Sequence, residues 1–125
     1  MRYMMFIKHT KDYRGIKPPA GLLQAMGEFV GESIKNGTFV DTGGLKPTAY
    51  GSKVKLSKGK LSITDGPFVE TKEIVGGYAL VEVKSKEHAL DLASKFMDLH
   101  RVHWPEFEGE CELRPLEDRP PDQWT

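Results

Sequence analysis

Segment 64–78 holds the densest mix of ionisable and conformationally special residues in this sequence, and it leaves one predicted strand, turns, and enters another. Its charged residues are Asp65, Glu70, Lys72 and Glu73. Asp65 precedes Gly66-Pro67, and both the aspartate side chain and the fixed φ of proline favour a turn at this point. A carboxylate held by backbone donors stays ionised, so it can orient a histidine or take a proton. Asp65 is therefore a candidate catalytic residue, with turn formation as its alternative role.

Two histidines near the end of a predicted helix, His100 and His103, are the candidate catalytic partners of Asp65. They are three residues apart and so share one face of the helix. In an Asp–His pair the carboxylate would fix the imidazole tautomer and the imidazole would move protons. His103 is the better candidate because His100 continues an apolar stripe, and His9 is a third option. Capping of the helix C-terminus by a cationic imidazole is the alternative role.

The predicted substrate-binding residues are Lys8, Glu70, Lys72, Tyr78 and Arg114. Lys72 would bind an anionic group of a ligand or, alternatively, pair with the neighbouring glutamates in a surface salt bridge. Tyr78 and Arg114 would bind a carboxylate through a phenol and a guanidinium, with structural hydrogen bonds as the alternative. Gly76-Gly77 would let another group approach the backbone closely.

No pattern in the sequence indicates a metal or an organic cofactor. His100 and His103 are followed by glutamates, but the spacing does not match a known zinc site. There is no phosphate-binding loop, no dinucleotide-binding glycine pattern and no flavin signature. We therefore expect no metal and no cofactor, and chemistry limited to proton transfer or hydrolysis.

The composition argues against several classes of function. Eighteen basic and 18 acidic residues give a net charge of zero, and the basic residues are not clustered, so we expect neither nucleic-acid nor membrane binding. The apolar segment 1–7 is interrupted by Arg2 and is too short for a signal peptide or a membrane span. The single Cys111 can form no intrachain disulfide, which fits a reducing compartment. These features predict a cytoplasmic protein.

The spacing of apolar residues predicts the element order β-α-β-hairpin-β-α-β. The predicted strands are 2–8, 38–42, 50–57, 60–64, 75–84 and 110–115, and the predicted helices are 19–36 and 86–101. This order is typical of an α+β fold, a ferredoxin-like split βαβ sandwich with an inserted β-hairpin. One domain would span residues 1–116, and residues 117–125 would form an extended tail. In the hairpin, apolar and polar residues alternate, which predicts one dry and one wet side.

The strands that contain Phe6 and Leu80 are apolar on both faces, whereas two helices can cover only one face of the sheet. A facing sheet from an identical chain would cover the other face with two-fold symmetry. We therefore predict a homodimer in which each protomer keeps a ligand-binding cleft between its sheet and the helix ends or loops.

The run Asp65-Gly66-Pro67-Phe68, with Gly76-Gly77-Tyr78, resembles the signature of the YCII-related family in its DGPF-type branch. Segments 1–8, 43–45 and 112–115 match in the same order, so the resemblance covers nearly the whole chain except the tail. The resemblance implies a ferredoxin-like protomer that pairs into a dimeric α+β barrel. It also implies an Asp–His catalytic pair, which is often proposed for such proteins although the substrate is unknown.

Two functions follow as hypotheses. The first is a small dimeric enzyme-like protein whose Asp/His site binds a small polar or anionic metabolite. The alternative is a non-catalytic ligand-binding or regulatory module, linked to transcription machinery because DGPF-type proteins are sometimes associated with sigma factors. An Asp65 within hydrogen-bond reach of an imidazole in a closed pocket favours the first hypothesis, and an Asp65 that only serves its own turn favours the second.

Overall fold

The computed structural model describes residues 1–9, 16–68 and 74–124. The elements are β1 (Arg2–His9), α1 (Ala20–Lys35), β2 (Phe39–Gly44), β3 (Ser52–Ser57), β4 (Lys60–Asp65), β5 (Ile74–Glu82), α2 (Lys86–His103) and β6 (Gly109–Pro115), with short 3-10 helices at Thr48–Tyr50 and Pro121–Gln123. Two candidate site residues, Glu70 and Lys72, lie outside the described residues.

The main sheet has four strands in the order β2-β5-β1-β6, and every neighbouring pair is antiparallel. With α1 and α2 as the connections, this is the strand order of a split βαβ sandwich, so the predicted ferredoxin-like fold class is confirmed. Strands β3 and β4 pair with each other and form a separate two-stranded sheet, the inserted hairpin.

Turn and cap signals in the sequence determine where the elements end. Ser85 caps α2, because its Oγ accepts a hydrogen bond of 3.0 Å from the backbone N–H of His88. Helix α1 ends at Asn36, and Gly37 follows with a φ of +82° that glycine adopts without strain. The hairpin turns at Lys58-Gly59, where both residues have positive φ. Each of these element ends follows from a local sequence signal.

The core lies between the two helices and one face of the sheet. Met5 and Val81, on the two central strands, are 1% and 0% exposed, and Leu22 of α1 is also fully buried. Burial of each such aliphatic side chain stabilises the fold by about 1.5 to 3 kcal/mol. The face of α2 that packs on the sheet consists of the small or aliphatic residues Ala89, Leu92 and Ala93.

The opposite face of the sheet carries no helix. Residues alternate along a strand, so Met4 and Phe6 of β1 point away from the core, opposite Leu80 and Tyr78 of β5. All four side chains are half-buried. The second apolar face that the sequence predicts is therefore present, and its cover by a second copy stays a prediction.

Two local expectations are wrong. The side of the hairpin that was expected to be dry is exposed at all four aliphatic positions, because no other element of the described chain lies over it. Strand β2 does not end at residue 42 but includes Gly43 and Gly44, since both pair with β5. For Gly27 and Gly31 the sequence leaves open close packing and an exposed weak spot, and in the structure a Cβ at either position would have no atom within 4 Å.

The C-terminal tail folds back on itself rather than onto the core. The indole Nε1 of Trp124 donates a hydrogen bond of 2.9 Å to the carbonyl of Arg119. Trp124 is 58% exposed, so it does not anchor the tail on its own domain.

Candidate functional site

A cavity of about 700 Å³ opens between α1, the C-terminal part of α2 and the helix-covered face of the sheet. Strands β1, β2 and β5 form its floor, and α1 forms one wall through Met26, Val30 and Ile34. Gly27 and Gly31 lie on the same wall. Their missing side chains leave room along α1, because nothing lies within 4 Å of where their Cβ atoms would be.

A β-bulge shapes the floor of the cavity. Ile7 pairs with Gly77, but Lys8 pairs with Val75, so Gly76 is an extra residue in β5. The imidazole of His9 lies over this glycine, and a Cβ at Gly76 would be 3.0 Å from His9 Nε2. The close approach predicted at Gly76-Gly77 is confirmed, and it brings His9 to the edge of the cavity.

His100 is the polar residue buried in the wall formed by α2. Its Nδ1 donates a hydrogen bond of 3.2 Å to the carbonyl of Phe96, one turn earlier. Burial lowers the pKa of His100 below its ordinary value, while the bond to Phe96 acts in the opposite direction. His100 is therefore neutral at pH 7, with Nδ1 protonated. Its Nε2 makes no hydrogen bond within the described part of the chain and is not fully buried. This nitrogen can therefore accept a hydrogen bond from a molecule in the cavity.

Aromatic rings surround His100 and continue along the same wall. The imidazole lies 5.3 Å from the ring of Phe96 and 4.7 Å from that of Phe107, centroid to centroid. Phe107 in turn lies 5.3 Å from Trp104. From the sequence, His100 is a catalytic candidate that continues an apolar stripe, and its contact with Phe107 is not predicted. The available signal was the clustering of five aromatic or imidazole rings within twelve residues.

Asp65 is not part of this cavity. It lies exposed at the end of β4, where its Oδ1 accepts a hydrogen bond of 2.7 Å from Ser52 Oγ across the hairpin. No hydrogen bond joins Asp65 to His9, His100 or His103 within residues 1–9, 16–68 and 74–124. The Asp–His contact that the catalytic hypothesis needs is not formed inside this chain, and the catalytic role of Asp65 stays a prediction.

Of the remaining candidates that the structure describes, only Tyr78 is among the lining residues. Its ring lies over Gly43 on the helix-free face of the sheet, so Tyr78 borders the cavity through its backbone. His103 is exposed at the end of α2, with its Nδ1 3.3 Å from where a Cβ on Gly21 would lie. Lys8 forms an ion pair with Glu112 on the helix-free face, and Arg114 lies 3.8 Å from the same carboxylate. The two basic residues are therefore on the other side of the sheet from the cavity.

The described part of the cavity lining carries little charge. It contains no Asp, Glu, Lys or Arg, and its polar side chains are those of His9, Thr42, His100 and Trp104. An ion transferred into such a site from water would lose its hydration without gaining a partner of opposite charge. In the part of the chain that is described, no cluster of three His, Cys, Asp or Glu side chains is placed to hold a metal ion.

Two further observations concern groups outside the cavity. Burial raises the pKa of the Cys111 thiol to about 11, so this residue is a packed thiol rather than a nucleophile. Neither α1 nor α2 is long and apolar enough to cross a membrane, within the segments that the structure covers.

Comparison with known proteins connects this chain with a protein family and with an uncharacterised relative. The model of the YCII-related domain matches residues 1–96, from β1 into α2. An uncharacterised protein, R00369 of Rhizobium meliloti (strain 1021), is 35% identical over 72 residues, which is 58% of this chain and 54% of the relative. The match thus spans about half the length of that curated relative. The family match ends at Phe96, so His100, Trp104 and Phe107 lie outside it.

Proposed function

The chain belongs to the YCII-related family, and on this premise we propose that it binds a small, uncharged and largely apolar molecule in the cavity between α1 and the sheet. The family consists of uncharacterised proteins, and the relative from Rhizobium meliloti is also uncharacterised. The proposal therefore depends on the cavity itself, and above all on its combination of an apolar wall with one neutral buried imidazole.

The size and lining of the cavity support a ligand of this kind. Its volume of about 700 Å³ is in the range of 300 to 1,000 Å³ that is usual for small-molecule sites. Its surface is mostly aliphatic and aromatic, with a few polar groups that could fix the orientation of a ligand. A bound molecule would gain most of its affinity from apolar area removed from water.

His100 is the proposed anchor for one polar group of the ligand. Nε2 of a neutral imidazole accepts a hydrogen bond, so it matches a hydroxyl or an N–H on the ligand. The rings of Trp104 and Phe107 lie on the same wall, and they favour a planar ring that packs against their faces or edges. A hydroxylated aromatic compound combines both features.

The proposed ligand differs from the one expected from the sequence, which was a polar or anionic metabolite. Described lining residues provide no cation that would pair with an anion. The proposal also favours binding over proton transfer or hydrolysis, because Asp65 is hydrogen-bonded to Ser52 and lines no part of the cavity. A regulatory role beside transcription machinery, which the family resemblance implies, stays a prediction.

Calorimetry with two matched probes, 1-naphthol and 1-naphthoate, tests the proposal. The neutral phenol is expected to bind, and the carboxylate of the same ring system is expected to bind at least tenfold more weakly. Gly31→Leu should weaken naphthol binding because the new side chain would occupy part of the cavity, whereas Glu32→Leu, at the next, exposed position outside the cavity, should leave it unchanged. Equal binding of both probes, or a Gly31→Leu variant that binds like the wild type, would refute the proposal.

A further inference from the structure

Thr42 is a polar residue of the cavity whose hydrogen-bonding capacity is set by the neighbouring strand. It lies on β2 and pairs with the buried Ala79 of β5, so both side chains point to the helix-covered face of the sheet. The Oγ1 of Thr42 donates a hydrogen bond of 2.9 Å to the carbonyl of Tyr78. A hydroxyl has one proton and two lone pairs, so this bond uses the proton and leaves the lone pairs. Toward the cavity, Thr42 therefore acts as a hydrogen-bond acceptor.

His100 has the same character. The proton on its Nδ1 is held by the carbonyl of Phe96, so Nε2 carries a lone pair and no proton. Two polar groups of the cavity thus accept hydrogen bonds, and each is fixed in that role by a bond to a backbone carbonyl. A ligand that satisfies both must bring a proton donor to each of them. An ether or carbonyl oxygen at either place would meet a lone pair and remain unpaired.

The two acceptors lie at opposite ends of the cavity. His100 contacts Phe107, and a Cβ on Gly109 would be 2.8 Å from the ring of Phe107. Because Gly109 pairs with His9, this end of the cavity lies at the end of β1. Thr42 is on β2, the edge strand, and β5 lies between β2 and β1. Two strand spacings separate β2 from β1, which amounts to on the order of 10 Å.

Between these two ends the cavity is apolar. Met5, Ile7 and Ala79 lie on its floor, and Met26 and Val30 of α1 lie on the wall above them. A polar group held in this middle part would lose its hydration without gaining a hydrogen-bond partner from these side chains. The lining therefore favours a molecule whose body is apolar and whose polar groups are at its two ends.

Resting on the proposed function, we propose that the ligand is an elongated aromatic molecule with a neutral hydrogen-bond donor at each end. One donor binds Nε2 of His100, and the other binds Oγ1 of Thr42. Thr42 is then a specificity-determining residue, because it selects a second donor and rejects an acceptor at the far end of the ligand. The proposed function alone does not require this, since a ligand with a single hydroxyl would satisfy His100 and the aromatic wall.

Calorimetry of wild type with three rigid probes tests the second donor. The first probe, 4,4′-biphenol, has a hydroxyl at each end, and 4-hydroxy-4′-methoxybiphenyl has one of them as a methyl ether. We expect biphenol to bind roughly tenfold more tightly, because whichever way the ether lies, one acceptor of the cavity loses its donor. The third probe, 4-phenylphenol, lacks the second oxygen and controls for the size of the methyl group. It too should bind more weakly than biphenol.

Three variants assign the second donor to Thr42. In Thr42→Val a methyl group replaces the hydroxyl, and the preference for biphenol over its methyl ether should fall to about twofold, the statistical factor from the symmetry of biphenol. Thr42→Ser keeps the hydroxyl and should keep the preference. Thr64→Val makes the same change as Thr42→Val at an exposed position outside the cavity, and it should also keep the preference. A purely structural role of the bond from Thr42 to Tyr78 predicts something else, because loss of stability would weaken both probes alike.

The wild-type comparison decides the proposal even where a variant does not fold. A preference for biphenol of no more than about twofold, or a Thr42→Val variant with the full preference of wild type, would overturn it. Naphthol binding combined with equal binding of the three biphenyls would overturn this inference and leave the proposed function standing. Absence of binding for naphthol and for every biphenyl would overturn both.

Discussion

Replacing Gly27 and Gly31 together by alanine is expected to stabilise the protein. Both glycines lie inside α1 (Ala20–Lys35), and each costs the helix about 1 kcal/mol relative to alanine. Neither new methyl group would touch another atom, since nothing lies within 4 Å of either Cβ position. The free energy of unfolding should therefore rise by about 2 kcal/mol, with no term for steric strain.

In a domain of this size, about 1 kcal/mol changes Tm by roughly 3 to 5 °C. The double variant should accordingly melt roughly 6 to 10 °C above wild type in a thermal scan followed by circular dichroism. Gly37→Ala is the control. Gly37 has a φ of +82° after the end of the same helix, so alanine there should lower the free energy of unfolding by about 1 kcal/mol.

The same variant reports on the cavity, since Gly27 and Gly31 both line it. Two methyl groups of roughly 30 Å³ each, about the volume of a water molecule, would take less than a tenth of the 700 Å³. We expect weaker binding of a ligand that fills the cavity, in a protein that is more stable. A double variant less stable than wild type would refute the reasoning, because it would mean that the glycines pack closely against something.

Three other predictions concern Gly76, Cys111 and His100. Gly76→Ala should destabilise the fold by about 1 kcal/mol in urea denaturation, because its Cβ would lie 3.0 Å from His9 Nε2 and the imidazole would have to shift. Gly44→Ala, with no neighbour within 4 Å, is the control, and equal stability of the two variants would contradict the prediction. Cys111 should react slowly with a thiol reagent at pH 8 until the protein is unfolded, because burial raises its pKa to about 11. Rapid labelling of the native protein would contradict this prediction. Burial lowers the pKa of His100 in the folded state, so below pH 6.5 the unfolded state binds more protons than the folded state. The contribution of His100 to the free energy of unfolding should therefore be complete above pH 6.5 and should decrease as the pH falls below it. His100→Phe should weaken that dependence in urea denaturation at pH 7.5 and pH 5.5, and an identical dependence in the variant would contradict this assignment.

Much of the fold was predictable because its signals are local. A serine cap, an Asn-Gly helix end and a Lys-Gly turn each depend on residues next to one another in the chain. The spacing of apolar residues predicted the strands. In β1 and β5, apolar residues occupy both sets of alternate positions, which indicated that both faces of these strands are apolar. The order of these elements then allowed few arrangements besides the split βαβ sandwich.

The candidate site was predicted only in part, since its contacts join residues far apart in sequence. Asp65 and His100 both carry suitable chemistry, but the first pairs with Ser52 and the second faces a cavity closed by α1. Nothing in the neighbouring sequence distinguishes an Asp–Gly–Pro turn that supports a hairpin from one that enters a site. Gly27 and Gly31 show the same limit, because a helix sequence does not reveal whether a neighbour or a cavity lies opposite a glycine.

The sequence by itself determined the elements, their order and the fold, because backbone preferences and the apolar period act over a few residues. Tertiary structure alone decided which side chains meet: the cavity between α1 and the sheet, the neutral His100 in its wall, and the exposed apolar face of the hairpin. These features arise from the packing of whole elements against one another, and side chains more than 30 residues apart become neighbours only through that packing.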